Sequence, residues 1–165
     1  MRTARLIASF GGVGFLRPAP GTWGSLAALP ACYLLHGLGQ FPLLLAATAA
    51  LYFAGLAATR QIVAAGPDHD PGWIVVDEVV GMWITLFPLS FGLWWMGTDP
   101  WAFPWPGYVL GFLLFRLFDI RKPWLVGRAD RRGDAVGVML DDVWAGVFAA
   151  ICVTVLGALA HLVLL

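Results

Sequence analysis

The feature that most constrains this chain is a long stretch, residues 18–59, that contains no Asp, Glu, Lys or Arg. A helix needs about 20 consecutive apolar residues to cross the ~30 Å hydrocarbon core of a bilayer. Two short passes fit into this stretch, and the Gly- and Pro-containing residues 36–42 mark a turn between them. Overall, 60% of the 165 residues are hydrophobic and 12% are charged. Soluble domains carry roughly a quarter charged residues, so the sequence predicts a membrane protein.

The apolar segments predict an all-α, multi-pass membrane helical bundle that forms one domain over residues 1–165. About five transmembrane or membrane-embedded helices are expected, at residues 23–38, 41–59, 79–97, 101–118 and 143–165. Polar loops are expected at residues 60–72 and 120–134. The formal net charge is zero, which gives no electrostatic case for a nucleic-acid partner.

The distribution of charge predicts the orientation of the bundle. With five passes and a cytoplasmic N-terminus, all ten Lys and Arg residues fall on or at the edge of the cytoplasmic side, as the positive-inside rule requires. Of the ten Asp and Glu residues, only Asp99 falls on the other side. Acids contribute little to that rule, so their gathering on one face is a separate observation and predicts a site there.

Two pairs of adjacent acids stand at the predicted starts of the third and fifth helices: Asp77–Glu78 and Asp141–Asp142. Carboxylates at a helix N-terminus are ordinarily caps that favour the helix dipole. One acid per helix would suffice for a cap, and a doubled acid is repulsive unless a positive group offsets it. Mg²⁺, which takes hard oxygen ligands, is such a group. The pattern therefore favours a metal site over two double caps.

A weak internal repeat links the two pairs. Gly81 follows Asp77 by four residues and Gly146 follows Asp142 by four, so each Gly lies on the helix face of its acid. Small residues let membrane helices approach closely. The repeat either brings the two acidic pairs together at adjoining helices or is a chance similarity.

A basic element lies at the end of the fourth predicted helix. Arg116 and Asp119 are three apart and share a helix face, and Lys122 follows them. Alone, these residues are typical of a surface ion pair with interfacial anchors. Beside acidic pairs, Arg116 and Lys122 suit the oxygens of a phosphate, one as a planar fork and the other as a mobile point charge. Asp119 would then be a ligand, a nucleophile or an aligner of Arg116.

Glycines, prolines and hydroxyls fill residues 11–26, directly before and into the first predicted helix. Backbone N–H groups at a helix start suit a phosphate, with Thr22 and Ser25 beside them. No Gly-Lys-Ser/Thr occurs, so this is not a Walker loop. The alternative is a structured lead-in in which Thr22 is the N-cap.

Other phosphatase chemistries do not fit the sequence. Neither Cys is followed six residues later by Arg, and the layout puts only His69 of the three histidines on the cytoplasmic side. Asp68 and Asp70 form a D-x-D pattern, but Pro71 follows where a hydroxyl or branched residue is expected. The remaining class is carboxylate plus metal.

Four motifs, in order and over nearly the whole chain, resemble the phosphatidylglycerophosphatase A family. They are Ala19-Pro20-Gly21-Thr22 with Gly24-Ser25-Leu26, Asp70-Pro71 with residues 74–81, residues 115–124, and residues 137–146. The resemblance implies a helical protein of the bacterial inner membrane, with its active site facing the cytoplasm. It also implies removal of the terminal phosphate of phosphatidylglycerophosphate, with Mg²⁺ or alternatively Mn²⁺, giving phosphatidylglycerol.

The residues and the resemblance together predict metal-assisted transfer of a phosphoryl group to water. The predicted metal ligands are Asp77, Glu78, Asp141 and Asp142. The predicted phosphate-binding residues are Arg116, Lys122, Thr22 and Ser25. The predicted catalytic residues are Asp77, Asp142, Asp119 and Asp70, of which Asp119 or Asp70 would orient the water.

One departure from the family pattern and two other function classes stay open. Family members usually have a Gly pair shortly before Gly137, where this chain has Gly133, Asp134 and Ala135. An alternative function is a membrane carrier with a carboxylate-lined cation path, although a carrier would need charges near the bilayer midplane. The other alternative is a non-catalytic membrane scaffold.

Overall fold

The computed structural model describes residues 1–66 and 71–164, and within these ranges it has seven α-helices and no strand. The elements are α1 (Arg2–Ala8), a 3₁₀ turn (Val13–Phe15), α2 (Pro20–Ala65), α3 (Val76–Thr85), α4 (Phe87–Trp95), α5 (Trp105–Arg121), α6 (Trp124–Asp130) and α7 (Ala135–Leu164). The all-α prediction is confirmed. Asp68, His69 and Asp70 lie outside the described residues.

The first two predicted passes form the two halves of α2. The helix is interrupted at Gly39 (φ −157°, ψ 16°) and Gln40 (φ 54°, ψ −153°). Pro42 follows and lacks the N–H that an unbroken helix would bond to the carbonyl of Leu38. The predicted interruption within residues 36–42 is therefore present.

Two helices are long and apolar enough to cross a membrane, Pro20–Ala65 and Ala135–Leu162. α3 and α4 qualify as a third only if they are counted as one span, bent by 43° at Leu86. Pro88, in the first turn of α4, cannot donate the backbone hydrogen bond that would continue α3. The described chain thus has two or up to three candidate spans, and the number of about five stays a prediction.

The prediction of a loop over residues 120–134 was wrong, because α6 occupies much of it. The fifth helix was also predicted to begin too late. Asp134 accepts a hydrogen bond from the backbone N–H of Gly137 (2.7 Å), which is the geometry of an N-cap, and α7 starts directly after it at Ala135.

α3 is the central helix and packs on α2 and α7. Its indole at Trp83 donates to the carbonyl oxygen of Ala28 in α2 (2.9 Å). On the other side α3 crosses α7 where Gly81 faces Gly146. A Cβ on Gly81 would lie 2.5 Å from the carbonyl oxygen of Asp142 and 2.6 Å from the ring of Phe115, so only glycine fits there.

Candidate active site

Three carboxylates converge where α3 meets α7. Asp77 and Glu78 stand in the first turn of α3, and Asp142 stands in the second turn of α7. One carboxylate oxygen from each lies within 4.8 Å of the others. Asp77 is 6% exposed and Asp142 is 4% exposed, so two of the three acids are buried. The contact between the two glycines, one turn further along each helix, allows this approach.

Two oxygens of this carboxylate cluster are buried without a polar partner. Among the described residues, nothing donates a hydrogen bond to Glu78 Oε2 or Asp142 Oδ1. Buried polar atoms are nearly always satisfied, and three like charges this close are repulsive unless something positive joins them. Hard carboxylate oxygens are the ligands that Mg²⁺ prefers. The donor set therefore fits a divalent cation.

Each acidic pair uses one oxygen in the same local bond. Asp77 Oδ1 accepts from the backbone N–H of Glu78 (3.0 Å), and Asp141 Oδ1 accepts from the backbone N–H of Asp142 (3.0 Å). The internal repeat in the sequence is therefore also present in the structure, as the same local hydrogen bond in both acidic pairs. The predicted position of the second pair at a helix start was wrong, because α7 begins well before it.

Asp141 does not join the carboxylate cluster. Its Oδ2 accepts from Lys122 Nζ (2.9 Å), and the same ammonium also bonds the carboxylate of Asp130 in α6. Burial opposes the charge on Lys122, but its bonds to Asp130 and Asp141 outweigh burial and raise its pKa. Lys122 thus links the C-terminal ends of α5 and α6 to the second turn of α7. Sequence reasoning missed Asp130, which has no signal beyond its acidic charge.

Arg116 and Asp119 form the predicted ion pair on α5, and both side chains are largely buried. Asp119 lies close enough to Glu78 and Asp142 to act on them electrostatically. A Cβ on Gly21 would overlap Glu78 Oε1 and would lie 3.4 Å from a guanidinium nitrogen of Arg116. The start of α2 therefore abuts the site. Gly21 was missed as a site residue, although it belongs to the Gly- and Pro-rich lead-in.

Thr22 and Ser25 lie in the first two turns of α2, and their predicted binding of phosphate stays a prediction. The alternative interpretation, in which Thr22 is the N-cap, was wrong: α2 begins at Pro20, after Ala19 in a left-handed conformation (φ 57°), without a side-chain cap. Ser25 is buried, and its hydroxyl donates to the carbonyl oxygen of Gly21 (2.8 Å). Asp70, a predicted catalytic residue, lies outside the described residues.

Residues 6–157 match the family described as Phosphatidylglycerophosphatase A. Relatives by that name from Haemophilus influenzae and Escherichia coli are 35% and 36% identical; the alignments cover 86% and 84% of this chain and 81% and 74% of theirs. A Bacteroides thetaiotaomicron protein named "Putative phosphatidylinositol-3-phosphatase" is 40% identical over 91% of each chain. No solved structure matches. The resemblance found in the motifs is confirmed, and the chain belongs to the phosphatidylglycerophosphatase A family.

Proposed function

We propose that this protein hydrolyses the phosphate monoester of phosphatidylglycerophosphate to phosphatidylglycerol and inorganic phosphate. Family membership supports the reaction class. The observation that carries the proposal is the carboxylate cluster of Asp77, Glu78 and Asp142, with two unpartnered buried oxygens among the described residues and with Arg116 close by. An anionic phosphate can bind beside three carboxylates only if positive charge offsets the repulsion. A bound metal ion and Arg116 would supply that charge.

Mg²⁺, or Mn²⁺ in its place, would be held by Asp77, Glu78 and Asp142. The bound ion would supply Lewis-acid stabilisation of the charge on the phosphoryl oxygens. Asp141, which is engaged with Lys122, would reach the ion only by exchanging that partner. The three carboxylates of the cluster are thus placed to bind the ion directly, and Asp141 is a neighbour outside the cluster.

The other residues of the site would hold the phosphate and move a proton. Arg116 would direct its planar fork to two phosphate oxygens, and Asp119 would keep the guanidinium aligned. The N-terminal end of α2, at Gly21 and Thr22, abuts Glu78 and Arg116, and the positive end of its helix dipole favours an anion there. Asp119 or Asp70 would accept a proton from the attacking water. The water oxygen forms the new P–O bond, the P–O bond to glycerol breaks, and the glycerol oxygen takes up a proton.

The membrane arrangement belongs to the same proposal. We place the site at the cytoplasmic face of the bacterial inner membrane, in a chain with about five passes. The Lys and Arg distribution supports this orientation. A site at the edge of the apolar region suits a lipid whose phosphate lies at the interface, and the same position disfavours a carrier, which needs a path through the midplane.

A second candidate substrate is a phosphoinositide, because the Bacteroides relative is named for phosphatidylinositol-3-phosphate chemistry. Both lipids present a phosphate monoester on a headgroup, so the same site would serve either one. The two differ in the size of the group that carries the phosphate.

The test is phosphate release by the purified protein in detergent micelles that contain either phosphatidylglycerophosphate or phosphatidylinositol 3-phosphate. We expect the first lipid to have the higher kcat/KM. A higher kcat/KM for phosphatidylinositol 3-phosphate would make that lipid the substrate and leave the proposed hydrolysis of a phosphate monoester unchanged. Release from neither lipid, by a protein that is folded, would contradict the proposal.

A further inference from the structure

A basic and apolar surface lies on the N-terminal segment, away from the carboxylate cluster. It surrounds a cavity of about 400 Å³ whose walls are Arg2, Arg5, Leu6, Ser9, Gly12 and Phe15. We call this set the N-terminal surface. Arg2 and Arg5 are three apart on α1 and point to the same side of the helix.

Large apolar side chains stand exposed beside these arginines. Leu6 is 60% exposed, Phe15 is 52% exposed and the neighbouring Leu16 is 49% exposed. On the opposite side of α1, Ala4 and Ala8 are buried and pack in a hydrophobic core with residues of α2 and α3. Arginines next to exposed apolar side chains on one side of a short helix are typical of an element that lies in the headgroup region of a bilayer.

The charge of the N-terminal surface selects an anionic occupant. Residues 1–66 contain no Asp or Glu, so no acid in this part of the chain neutralises the arginines. Within the described ranges, neither Arg2 nor Arg5 forms an ion pair; Arg5 instead lies over the ring of Trp73 at 5.4 Å. A cavity with two guanidinium groups and apolar walls matches a phosphate with an attached acyl chain.

The N-terminal surface is connected to the carboxylate cluster through residues 73–75. Phe15 stacks on Trp73 (5.4 Å between ring centroids), and the backbone N–H of Val75 donates to the carbonyl oxygen of Ala8 (2.9 Å). Asp77 follows only two residues later. A ligand that orders the N-terminal segment would therefore steady the start of α3.

We propose that the N-terminal surface binds an anionic phospholipid of the surrounding bilayer, with its phosphate between Arg2 and Arg5 and its acyl chain along Leu6 and Phe15. This lipid is bound outside the carboxylate cluster and is not hydrolysed. The binding does not depend on the phosphatase proposal.

The experiment uses the full chain carrying Cys152→Ser and Leu16→Cys, labelled at the new cysteine with an environment-sensitive fluorophore and placed in phosphatidylcholine nanodiscs. Cys32 is buried and can stay. Phosphatidylserine is the probe, because it is anionic but carries no phosphate monoester. We expect its addition to shift the emission to the blue. Arg2→Ala with Arg5→Ala should weaken the apparent affinity roughly fivefold for each arginine removed.

Two matched variants distinguish a site from general surface charge. Arg2→Lys with Arg5→Lys should retain most of the affinity, which also shows that the segment still folds. Arg121→Ala with Arg128→Ala removes two other exposed arginines and should leave the shift unchanged. No shift in the parent protein, or an equal loss in the Arg121/Arg128 variant, would overturn the proposal. A persistent shift in a protein that hydrolyses neither lipid would uphold this surface while the phosphatase proposal failed.

Discussion

Gly81 of α3 lies directly against Gly146 of α7: a Cβ on Gly146 would sit 3.1 Å from the Cα of Gly81. Thr85 adds to this contact, since its hydroxyl donates to the carbonyl oxygen of Gly81 (3.0 Å) and approaches that of Gly146 (3.5 Å). The close backbone approach sets the separation of the helices that carry Asp77 and Asp142. The glycine pair therefore determines the spacing of the carboxylate cluster.

Gly146→Ala should destabilise the protein and lower its activity together. The added methyl group cannot be accommodated without separating α3 from α7, and such overpacking costs typically ~1–3 kcal/mol. Melting temperature in detergent and turnover of the folded fraction are the measurements. Gly92→Ala is the matched control, because a Cβ there meets nothing within 4 Å. If the Gly146→Ala protein were as stable and active as the control variant, the close contact of α3 with α7 would not set the spacing of the carboxylate cluster.

Arg116→Lys should lower kcat/KM even though the charge is kept, because Lys lacks the planar fork. A lost charge-assisted bond to phosphate costs ~1.5–3 kcal/mol, or roughly tenfold to a hundredfold in rate. If Arg116 only clamps Asp119, Arg116→Ala and Asp119→Ala would instead give similar losses of stability and little kinetic change. Near-normal turnover in Arg116→Ala would end the case for phosphate binding.

Lys122→Met should destabilise the protein at neutral pH, because it leaves the buried carboxylate of Asp141 without its partner. The pKa of Lys122 is raised above its ordinary 10.5. Its contribution is therefore fully present below pH 10.5 and is lost as the pH rises through the higher pKa of the folded state. Unfolding measured from neutral pH upward should show a constant gap in stability between the two proteins up to that point. Adding Asp141→Asn should recover part of the loss.

Asp134→Ala should lower stability by about 1 kcal/mol through loss of the N-cap of α7. Asp134→Asn keeps an oxygen acceptor for the N–H of Gly137 and should be nearly neutral. Turnover of the folded fraction should be unchanged in both, because Asp134 lies outside the carboxylate cluster. A large kinetic effect at equal stability would show that this departure from the family pattern serves the substrate.

The convergence of the two helices could be predicted because it follows from spacing. An acid and a small residue four apart lie on one helix face, and this holds at both Gly81 and Gly146. The interruption at Gly39 and the all-α class follow from equally local rules. These features need no knowledge of distant contacts.

The partners of individual charges could not be predicted. Asp141 and Asp142 are neighbours in sequence, yet one bonds Lys122 and the other joins the carboxylate cluster, because adjacent residues on a helix point about 100° apart. Asp142 shares the helix face of Gly146, which contacts α3, whereas Asp141 points to Lys122, which precedes it by 19 residues. The start of α7 at Ala135 could not be predicted either. The sequence pattern placed it later because Val143 opens the uninterrupted apolar run.

The central claim is that Asp77, Glu78 and Asp142 hold a divalent cation for phosphate release. The most direct measurement is phosphate release from phosphatidylglycerophosphate as a function of free Mg²⁺, for the parent protein, Asp142→Asn and Asp99→Asn. Asp99 accepts a hydrogen bond from the backbone N–H of Trp101 in its own turn (3.0 Å) and lies outside the carboxylate cluster, so its variant is the matched control. We predict no activity in chelator, saturable activation by Mg²⁺ in the parent and control, and a loss of roughly a hundredfold or more in Asp142→Asn. Full activity in chelator, or an Asp142→Asn protein with the parent's Mg²⁺ response, would contradict the account.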